Sequence, residues 1–379
     1  MADMIDLLIL FTELEGEYAI QVRSPEVGET PQPAPRIRSE HLQKIGENLV
    51  KARHAGREKE ISGLGEELFS QLFRLHNHDL YQSARALSKK SSSTMRLLLA
   101  MAPHSPLQLI PWELLHDGTG FLARDLGCAV VRYMEGKNPV RSVELQAPVR
   151  ILVTSACPVE LRRLDLEPEI KGIHGAYKQH RKTTIFRYYD HTSLQNLREI
   201  LHGAVLAGEP FHVWHHCGHG DITSSTMEFQ LYLERQRHIE AAGVSEIMQV
   251  LGKCKDLRVV VLNVCYAGSA KGLAPEVAKI NIPSVLSFSS KIGDVQARTF
   301  ALALHHGLLT LPIEIAADIA RASICKSGLA TWHWSNLILF SRRSDSGTLL
   351  AHSRPIPRGR HRLKEIYKTI IEKSRQASK

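Results

Sequence analysis

The segment FHVWHHCGHG, residues 211–220, is an apolar, strand-like run that ends in a His-Gly pair. The segment RVVVLNVC, residues 258–265, is a second apolar run, and it ends in a cysteine. A loop and an amphipathic helix separate the two, as expected for the crossover between two parallel strands. Such a crossover brings the C-terminal ends of both strands to one edge of a sheet, where catalytic groups of α/β proteins collect. We therefore expect the imidazole of His219 and the thiol of Cys265 to lie close together.

An imidazole next to a thiol is the arrangement that a cysteine nucleophile needs. The thiolate is the reactive form, and a nearby imidazole lowers the pKa of the thiol below its free value of ~8.5. In this interpretation His219 takes the proton of Cys265 and later gives one to the leaving amine. The alternative is that Cys265 is a small buried core residue, the usual role of a free cysteine. The His-Gly pair at the end of the other strand favours catalysis.

The spacing of the two motifs carries a resemblance, since 46 positions separate His219 from Cys265. Strand-His-Gly followed at this distance by strand-x-Cys-x-x-Gly resembles the caspase-type cysteine peptidases. The Cys motif LNVCYAG, residues 262–268, differs from the caspase Gln-Ala-Cys-x-Gly pattern. The closer resemblance is to the CHAT family, the bacterial caspase- and separase-like peptidases. The segment LQLIPWELLHD (107–117) and residues 285–321 support it, and together the stretches cover roughly residues 60–340.

The resemblance implies further site residues. The backbone N–H groups of Gly220 and Cys265 would form an oxyanion hole. By resemblance to caspases, Asn263 would line the pocket for the residue before the scissile bond, but no basic partner is identifiable that would select an acidic residue there. Ser287 and Asp294, at the end of the next strand and beyond it, could line the same cleft or serve as turn residues. Neither a nucleotide nor a metal cofactor is implied.

The histidine-rich end of the first strand also resembles a set of metal ligands. In a continuous strand, His215, Cys217 and His219 would point to one face and His216 to the other. A structural zinc site requires four ligands in a closed shell, and the sequence offers no second ligand pair at a suitable spacing. We therefore assign no metal, and a metal-binding regulator built on this cluster stays an alternative.

The order of the predicted elements indicates the fold class. Strands alternate with helices from Val149 onward, which predicts a mostly parallel sheet between two layers of helices. The CHAT resemblance implies the same α/β class, a caspase-like three-layer α/β/α domain. Residues 5–24 read as a β-hairpin, and Ser39 is a candidate cap of the first of several helices. We divide the chain into an N-terminal β-hairpin and helical region (1–90), a CHAT caspase-like peptidase domain (91–345) and a basic C-terminal tail (346–379).

The formal net charge of +9 is concentrated near the C-terminus. Residues 354–379 contain nine Lys or Arg and two Glu, so they account for +7. The body of the protein therefore shows no sign of a nucleic-acid-binding face. In the tail, apolar residues from Leu363 to Ile371 share one face of a predicted helix with Lys and Arg opposite. This basic amphipathic helix could dock on the body, on a partner or on an anionic surface, or remain solvated.

Cysteine usage and hydropathy indicate the compartment. Six cysteines are scattered along the 379 residues without a CxxC spacing, which favours reduced thiols over disulfides or a zinc ribbon. No stretch approaches ~18 uninterrupted apolar residues, the length that would cross a membrane. Asp3 and Asp6 precede the short apolar run from Leu7 to Phe11, which makes this run a poor signal peptide. We expect a cytoplasmic location.

These features predict a cysteine endopeptidase that acts through Cys265 and His219. The CHAT resemblance implies a protein substrate that is cut at few sites. It also implies activation by a sensor or partner protein, within a bacterial defence or signalling module. The second hypothesis is a catalytically inactive interaction module of the same fold. The presence of both His219-Gly220 and Cys265 argues against it, because a decayed site need not keep either.

Overall fold

The computed structural model describes residues 4–102, 105–125, 127–134, 142–280, 282–326, 332–342, 347–351, 369 and 372. Nearly all of the basic tail predicted for residues 346–379 lies outside these residues, so the interpretation of its helix stays a prediction. Among the helices that are described, none is both long enough and apolar enough to cross a membrane.

The predicted N-terminal hairpin is confirmed. It consists of β1 (Met4–Leu14) and β2 (Glu17–Ser24), which pair antiparallel. Two short strands, β3 (Gly28–Glu29) and β4 (Arg36–Arg38), pair with β2. On its other side β1 pairs in parallel with a strand of the main sheet, so the hairpin extends that sheet.

Three helices follow the hairpin. They are α1 (Ser39–His54), α2 (Glu58–Leu72) and α3 (His76–Ser91). Helix α1 starts near the predicted position, but Ser39 does not cap it. The hydroxyl of Ser39 donates instead to the carbonyl oxygen of Gly16 in the hairpin turn at 2.8 Å. All three helices bury apolar residues in the same hydrophobic cluster as β1 and β2.

The remaining strands and helices complete one large sheet with helices on both faces, and three of the strands form a second, smaller sheet. The strands are β5 (Thr94–Ala100), β6 (Cys128–Tyr133), β7 (Val149–Ser155), β8 (Thr184–Tyr189), β9 (Val213–Cys217), β10 (His219–Ile222), β11 (Phe229–Arg235), β12 (His238–Gly243), β13 (Val259–Asn263), β14 (Ser284–Phe288) and β15 (Leu337–Ser341). The helices are α4 (Leu122–Asp125), α5 (Leu166–Tyr177), α6 (Leu194–Leu206), α7 (Val244–Leu251), α8 (Leu273–Val277), α9 (Asp294–Gly307) and α10 (Ile313–Lys326). Twelve strands form the main sheet in the order β3-β2-β1-β5-β6-β15-β14-β13-β9-β7-β8, with β4 paired to β2.

The main sheet is mostly parallel and has helices on both faces. Strands β8, β7, β9, β13 and β14 pair in parallel, whereas β15 runs antiparallel to β14. On β13, Val259 and Val261 join the hydrophobic cluster that contains α5 and α9. Val260 and Leu262 point the other way and join the cluster of α6, α7 and α8. A strand covered on both faces is apolar at nearly every position, as this one is. The three-layer α/β/α prediction is therefore confirmed.

The segment 211–220, which the sequence suggested was one strand, is divided. Strand β9 ends at Cys217, and β10 starts at His219 in a separate three-stranded antiparallel sheet with β11 and β12. The β11–β12 hairpin lies in the connection that we predicted to be a loop and a helix. Its signal in the sequence is the buried apolar residue at every second position from Phe229 to Leu233.

Candidate active site

The register of two neighbouring strands brings the His and Cys motifs to one edge of the sheet. Strands β9 and β13 pair in parallel, with Cys217 opposite Asn263. His219 and Cys265 each follow this pair by two residues. The predicted adjacency of the two strand ends is therefore confirmed. Cys265 is partly exposed, whereas Cys217 is buried within its strand.

Gly220 lies against the backbone of Cys265. A Cβ atom at Gly220 would be 3.0 Å from the carbonyl oxygen of Cys265 and 2.9 Å from two ring carbons of Phe229. A side chain here would push the His segment away from the Cys segment, because neither neighbour can yield easily. The absence of a side chain thus allows the close backbone approach that an oxyanion hole between these two residues requires.

The ring of His219 is held by a main-chain group. Its Nε2 donates a hydrogen bond of 2.8 Å to the carbonyl oxygen of Arg162, in the loop between β7 and α5. A carbonyl oxygen can only accept, so the proton of the neutral ring resides on Nε2. Nδ1 is then the unprotonated nitrogen, which is the state that a general base needs. No third member of the site was identifiable from the sequence.

The resting pair is electrically neutral near pH 7. Burial raises the pKa of the Cys265 thiol, with Asp221 and Asp294 adding to the rise, while a backbone hydrogen bond with Ile292 and the charge of Lys291 oppose it. Burial lowers the pKa of His219, although the Arg162 carbonyl and Asp294 oppose this change. A thiolate–imidazolium pair is therefore not the ground state of the unliganded site.

This protonation state predicts the pH dependence of thiol alkylation. The raised pKa means that the thiolate fraction of Cys265 grows as the pH rises, so the rate should increase about ten-fold per pH unit from about pH 6 to 8.5. Iodoacetamide labelling of Cys265 in the unliganded protein, followed by mass spectrometry, measures this rate. Glutathione, labelled in parallel, serves as the reference thiol. A rate that stays level from pH 6 to 8 would instead indicate a preformed ion pair.

Of the three residues predicted to bind substrate, Asp294 is the one that lies at the site. It begins α9, its side chain is 30% exposed, and its carboxylate is 3.7 Å from the guanidinium of Arg162. Its charge raises the pKa of both His219 and Cys265, which places it near both groups. The side chain is thus available to a ligand that reaches the dyad.

The other two predicted substrate-binding residues are buried, which corrects our expectation. Asn263 is 5% exposed, and its Nδ2 donates to Glu169 at 2.7 Å and to the carbonyl oxygen of Ala297 at 3.3 Å. Ser287 is fully buried, and its hydroxyl donates to the carbonyl oxygen of Leu262 at 3.2 Å. Both side chains lie within the body of the sheet and its helix layer, because each belongs to a strand that is covered on both faces.

The expectation for the metal-ligand cluster is also corrected. The chain changes sheets at Gly218, so His219 does not share a face with His215 and Cys217. Instead, Glu169 of α5 joins these two, and one ligand atom from each lies within 4.8 Å of the others. Cys217 donates to Glu169 at 3.0 Å in this fully buried group. Within the described part of the chain, this is the cluster that could hold a metal ion. It is buried between β9 and α5.

Comparison with protein families identifies the part of the chain that contains the site. The model of the CHAT domain family matches residues 63–341. The chain belongs to the CHAT domain family. The match includes both motifs of the site and every strand of the main sheet from β5 to β15, and it confirms the predicted resemblance.

Two solved structures resemble this CHAT protein at low sequence identity. The Drosophila initiator caspase Dronc gives a TM-score of 0.34 at 10% identity, over 52% of this chain and 84% of that one. A secreted C11 cysteine protease from Bacteroides thetaiotaomicron, in complex with an irreversible peptide inhibitor, gives a TM-score of 0.30 at 9% identity, over 46% and 69%. The comparison with curated proteins gave no match.

Proposed function

We propose that this CHAT protein is a cysteine endopeptidase, with Cys265 as nucleophile and His219 as general base and acid. The observation that carries the proposal is the parallel register of β9 and β13, which brings His219-Gly220 and Cys265 to the same edge of the sheet. The partial exposure of the thiol and the hydrogen bond that orients His219 add support.

The geometry supports the following sequence of steps. Nδ1 of His219 takes the proton of Cys265, and the sulfur attacks the carbonyl carbon of the scissile peptide bond. The N–H groups of Gly220 and Cys265 hold the resulting oxyanion. The amine product leaves with the proton from His219, and the acyl group stays on the sulfur. Water, deprotonated by His219, then hydrolyses the thioester and releases the second product.

We further propose that the enzyme is activated by a sensor or partner protein, in a bacterial defence or signalling module. The neutral resting dyad supports this, because a site with little thiolate gains most from a partner that reorganises it. All six cysteines are free, as predicted, which supports a reducing cytoplasm as the location. The substrate would be a protein cut at few sites.

The test is to map new protein N-termini in host lysate treated with the wild type or with the Cys265→Ala variant. We expect termini that appear with the wild type alone, because only the wild type has a nucleophile. Lysates that contain neighbouring gene products provide the proposed activator. Identical termini for the two proteins under both conditions would contradict the proposal and favour the non-enzymatic interaction module.

A further inference from the structure

A cleft of roughly 710 Å³ lies beside the nucleophile. Tyr266, the residue after Cys265, lines it together with Lys291 from the loop after β14. Arg53, near the C-terminal end of α1, lines it from the N-terminal region of the chain. The cleft therefore connects the proposed catalytic site with helix α1, whose position beside the site was not predictable from its sequence.

The cleft carries an excess of positive charge. Its charged lining residues are Arg53, Arg132 and Lys291, and no Asp or Glu is among the described residues that line it. Glu113, just behind the lining, balances Arg132 through an ion pair of 3.1 Å. Arg53 and Lys291 have no such carboxylate partner within the described residues. Lys291 is exposed, and its charge lowers the pKa of Cys265, so it stands near the sulfur.

Arg53 is a half-buried cation, and part of its hydrogen-bonding capacity is unused. Its Nε and Nη1 are buried and have no hydrogen-bond partner among the residues that the structure describes. Burial lowers the pKa of Arg53 to about 10, with Glu113 opposing and Arg132 adding to the decrease, so the guanidinium stays charged at neutral pH. Leaving buried donors on a charged group unsatisfied is costly, so such donors in native proteins are normally satisfied by protein, by water or by a bound ligand.

Other unsatisfied groups in the lining are also mostly donors. Within the described part of the chain, Nε of Arg132 and the hydroxyl of Ser269 are buried without a hydrogen-bond partner, against one such acceptor in the lining, Oδ1 of Asn336. A surplus of N–H and O–H groups with net positive charge fits a carboxylate, which accepts hydrogen bonds only. A guanidinium binds a carboxylate through two parallel hydrogen bonds, more specifically than a single ammonium can.

We propose that this cleft binds an acidic side chain, Asp or Glu, of the substrate polypeptide close to the scissile bond, with Arg53 and Lys291 as the residues that select it. The inference rests on the proposed peptidase function. Arg53 precedes the region matched by the CHAT domain, residues 63–341. The N-terminal helix of this chain thus contributes one of the two selecting residues from outside the matched region, and Lys291 lies within it.

Affinity labelling of Cys265 tests the cleft without depending on peptide cleavage. The probes are the α-amides of N-bromoacetyl glutamic acid and N-bromoacetyl glutamine, which differ only in the side-chain charge. In both, the thiolate sulfur forms a bond to the acetyl carbon and bromide leaves. We expect the glutamic acid probe to label the full-length wild type at least about ten-fold faster, as gained charge-assisted hydrogen bonds imply.

Three variants test which residues cause the preference for the glutamic acid probe. Arg53→Gln and Lys291→Gln should each reduce the ratio of the two labelling rates several-fold. Lys51→Gln is the matched control, because Lys51 is an exposed residue of the same helix outside the cleft, and its ratio should equal that of the wild type. Thermal unfolding checks each variant, and the exposed position of Lys291 keeps the test valid if Arg53→Gln does not fold. Equal rates in the wild type, or a preference that persists in both cleft variants, would overturn the inference.

The lysate experiment separates this inference from the proposed function. If cleavage occurs, the new termini should show Asp or Glu enriched at one fixed position beside the cut, and Arg53→Gln should reduce that enrichment. Cleavage without an acidic preference would refute the cleft assignment alone. Absence of cleavage together with charge-selective labelling would refute the peptidase proposal. The cleft beside Cys265 would then still be a carboxylate-binding site, but its assignment to a peptide substrate would be refuted together with the peptidase proposal.

Discussion

The Gly220→Ala variant should cut its substrate roughly 100- to 1,000-fold less efficiently than the wild type, measured as kcat/KM on a peptide taken from the mapped cleavage site. The added Cβ would meet the carbonyl oxygen of Cys265 at 3.0 Å and the buried ring of Phe229 at 2.9 Å. Since the backbone of Cys265 cannot turn aside, the His and Cys segments must separate. The oxyanion would then lose a correctly placed N–H donor. In a preorganised site, even a small displacement of such a donor raises the free energy of the transition state.

Two comparisons make the Gly220 result specific. In Gly243→Ala, the nearest atoms to the new Cβ are 3.7 Å away, so this variant of the neighbouring sheet should keep nearly wild-type activity. Alkylation of Cys265 by iodoacetamide should remain within a few-fold of wild type in Gly220→Ala, because this reaction needs no oxyanion hole. Wild-type kcat/KM in Gly220→Ala would show that Gly220 does not contribute to the hole.

The strands that carry the site were predictable because their sequences follow from their positions. A parallel strand covered on both faces must be apolar along its length, and RVVVLNVC is recognisable on that basis alone. The crossover rule then brings the ends of β9 and β13 together without any knowledge of side-chain packing. The hairpin of residues 5–24 was predictable for a similar local reason, the alternation of apolar and polar residues.

The change of sheet at Gly218 was not predictable from pattern. FHVWHHCGHG continues with strand-like residues on both sides of Gly218, and β10 is itself a strand. Which sheet a strand joins depends on partners distant in the chain, here β11. The placement of His219 on one face with His215 and Cys217 was wrong for this reason, since alternation assigns faces only while one strand continues.

The groups that orient and surround the dyad have no sequence signature either. The acceptor for His219 is the main-chain carbonyl of Arg162, 57 residues away, and any residue type could supply it. Arg53 reaches the cleft because α1 packs against the segment 106–110, where Gly46 lies next to Ile110. Asn263 is different, because strand alternation places it on the same side of β13 as Val259 and Val261, facing α5. Its burial against Glu169 could have been inferred from the strand itself.

The Arg96→Met variant should lose about 3–5 kcal/mol of unfolding free energy. Arg96 of β5 is 1% exposed, and it bonds Asp6 of β1 at 2.6 Å and Glu314 of α10 at 2.8 Å. Glu314 is fully buried, and methionine would leave its carboxylate without this cation in a medium of low polarity. The contact joins the N-terminal hairpin to the CHAT domain, so urea unfolding followed by circular dichroism should show the loss for the protein as a whole.

Two further variants test whether the unpaired charge of Glu314 causes the loss of stability: one removes a surface ion pair, and the other replaces both buried charges. Arg23→Met removes a pair with Glu29 in which the side chains are 51% and 65% exposed, and should cost less than about 0.5 kcal/mol. Arg96→Met combined with Glu314→Leu should recover most of the stability, because replacing both buried charges by apolar groups removes the stranded carboxylate. Asp6 stays partly exposed and can be hydrated. If the double variant were as unstable as Arg96→Met, packing around Arg96 rather than the isolated charge of Glu314 would be the cause.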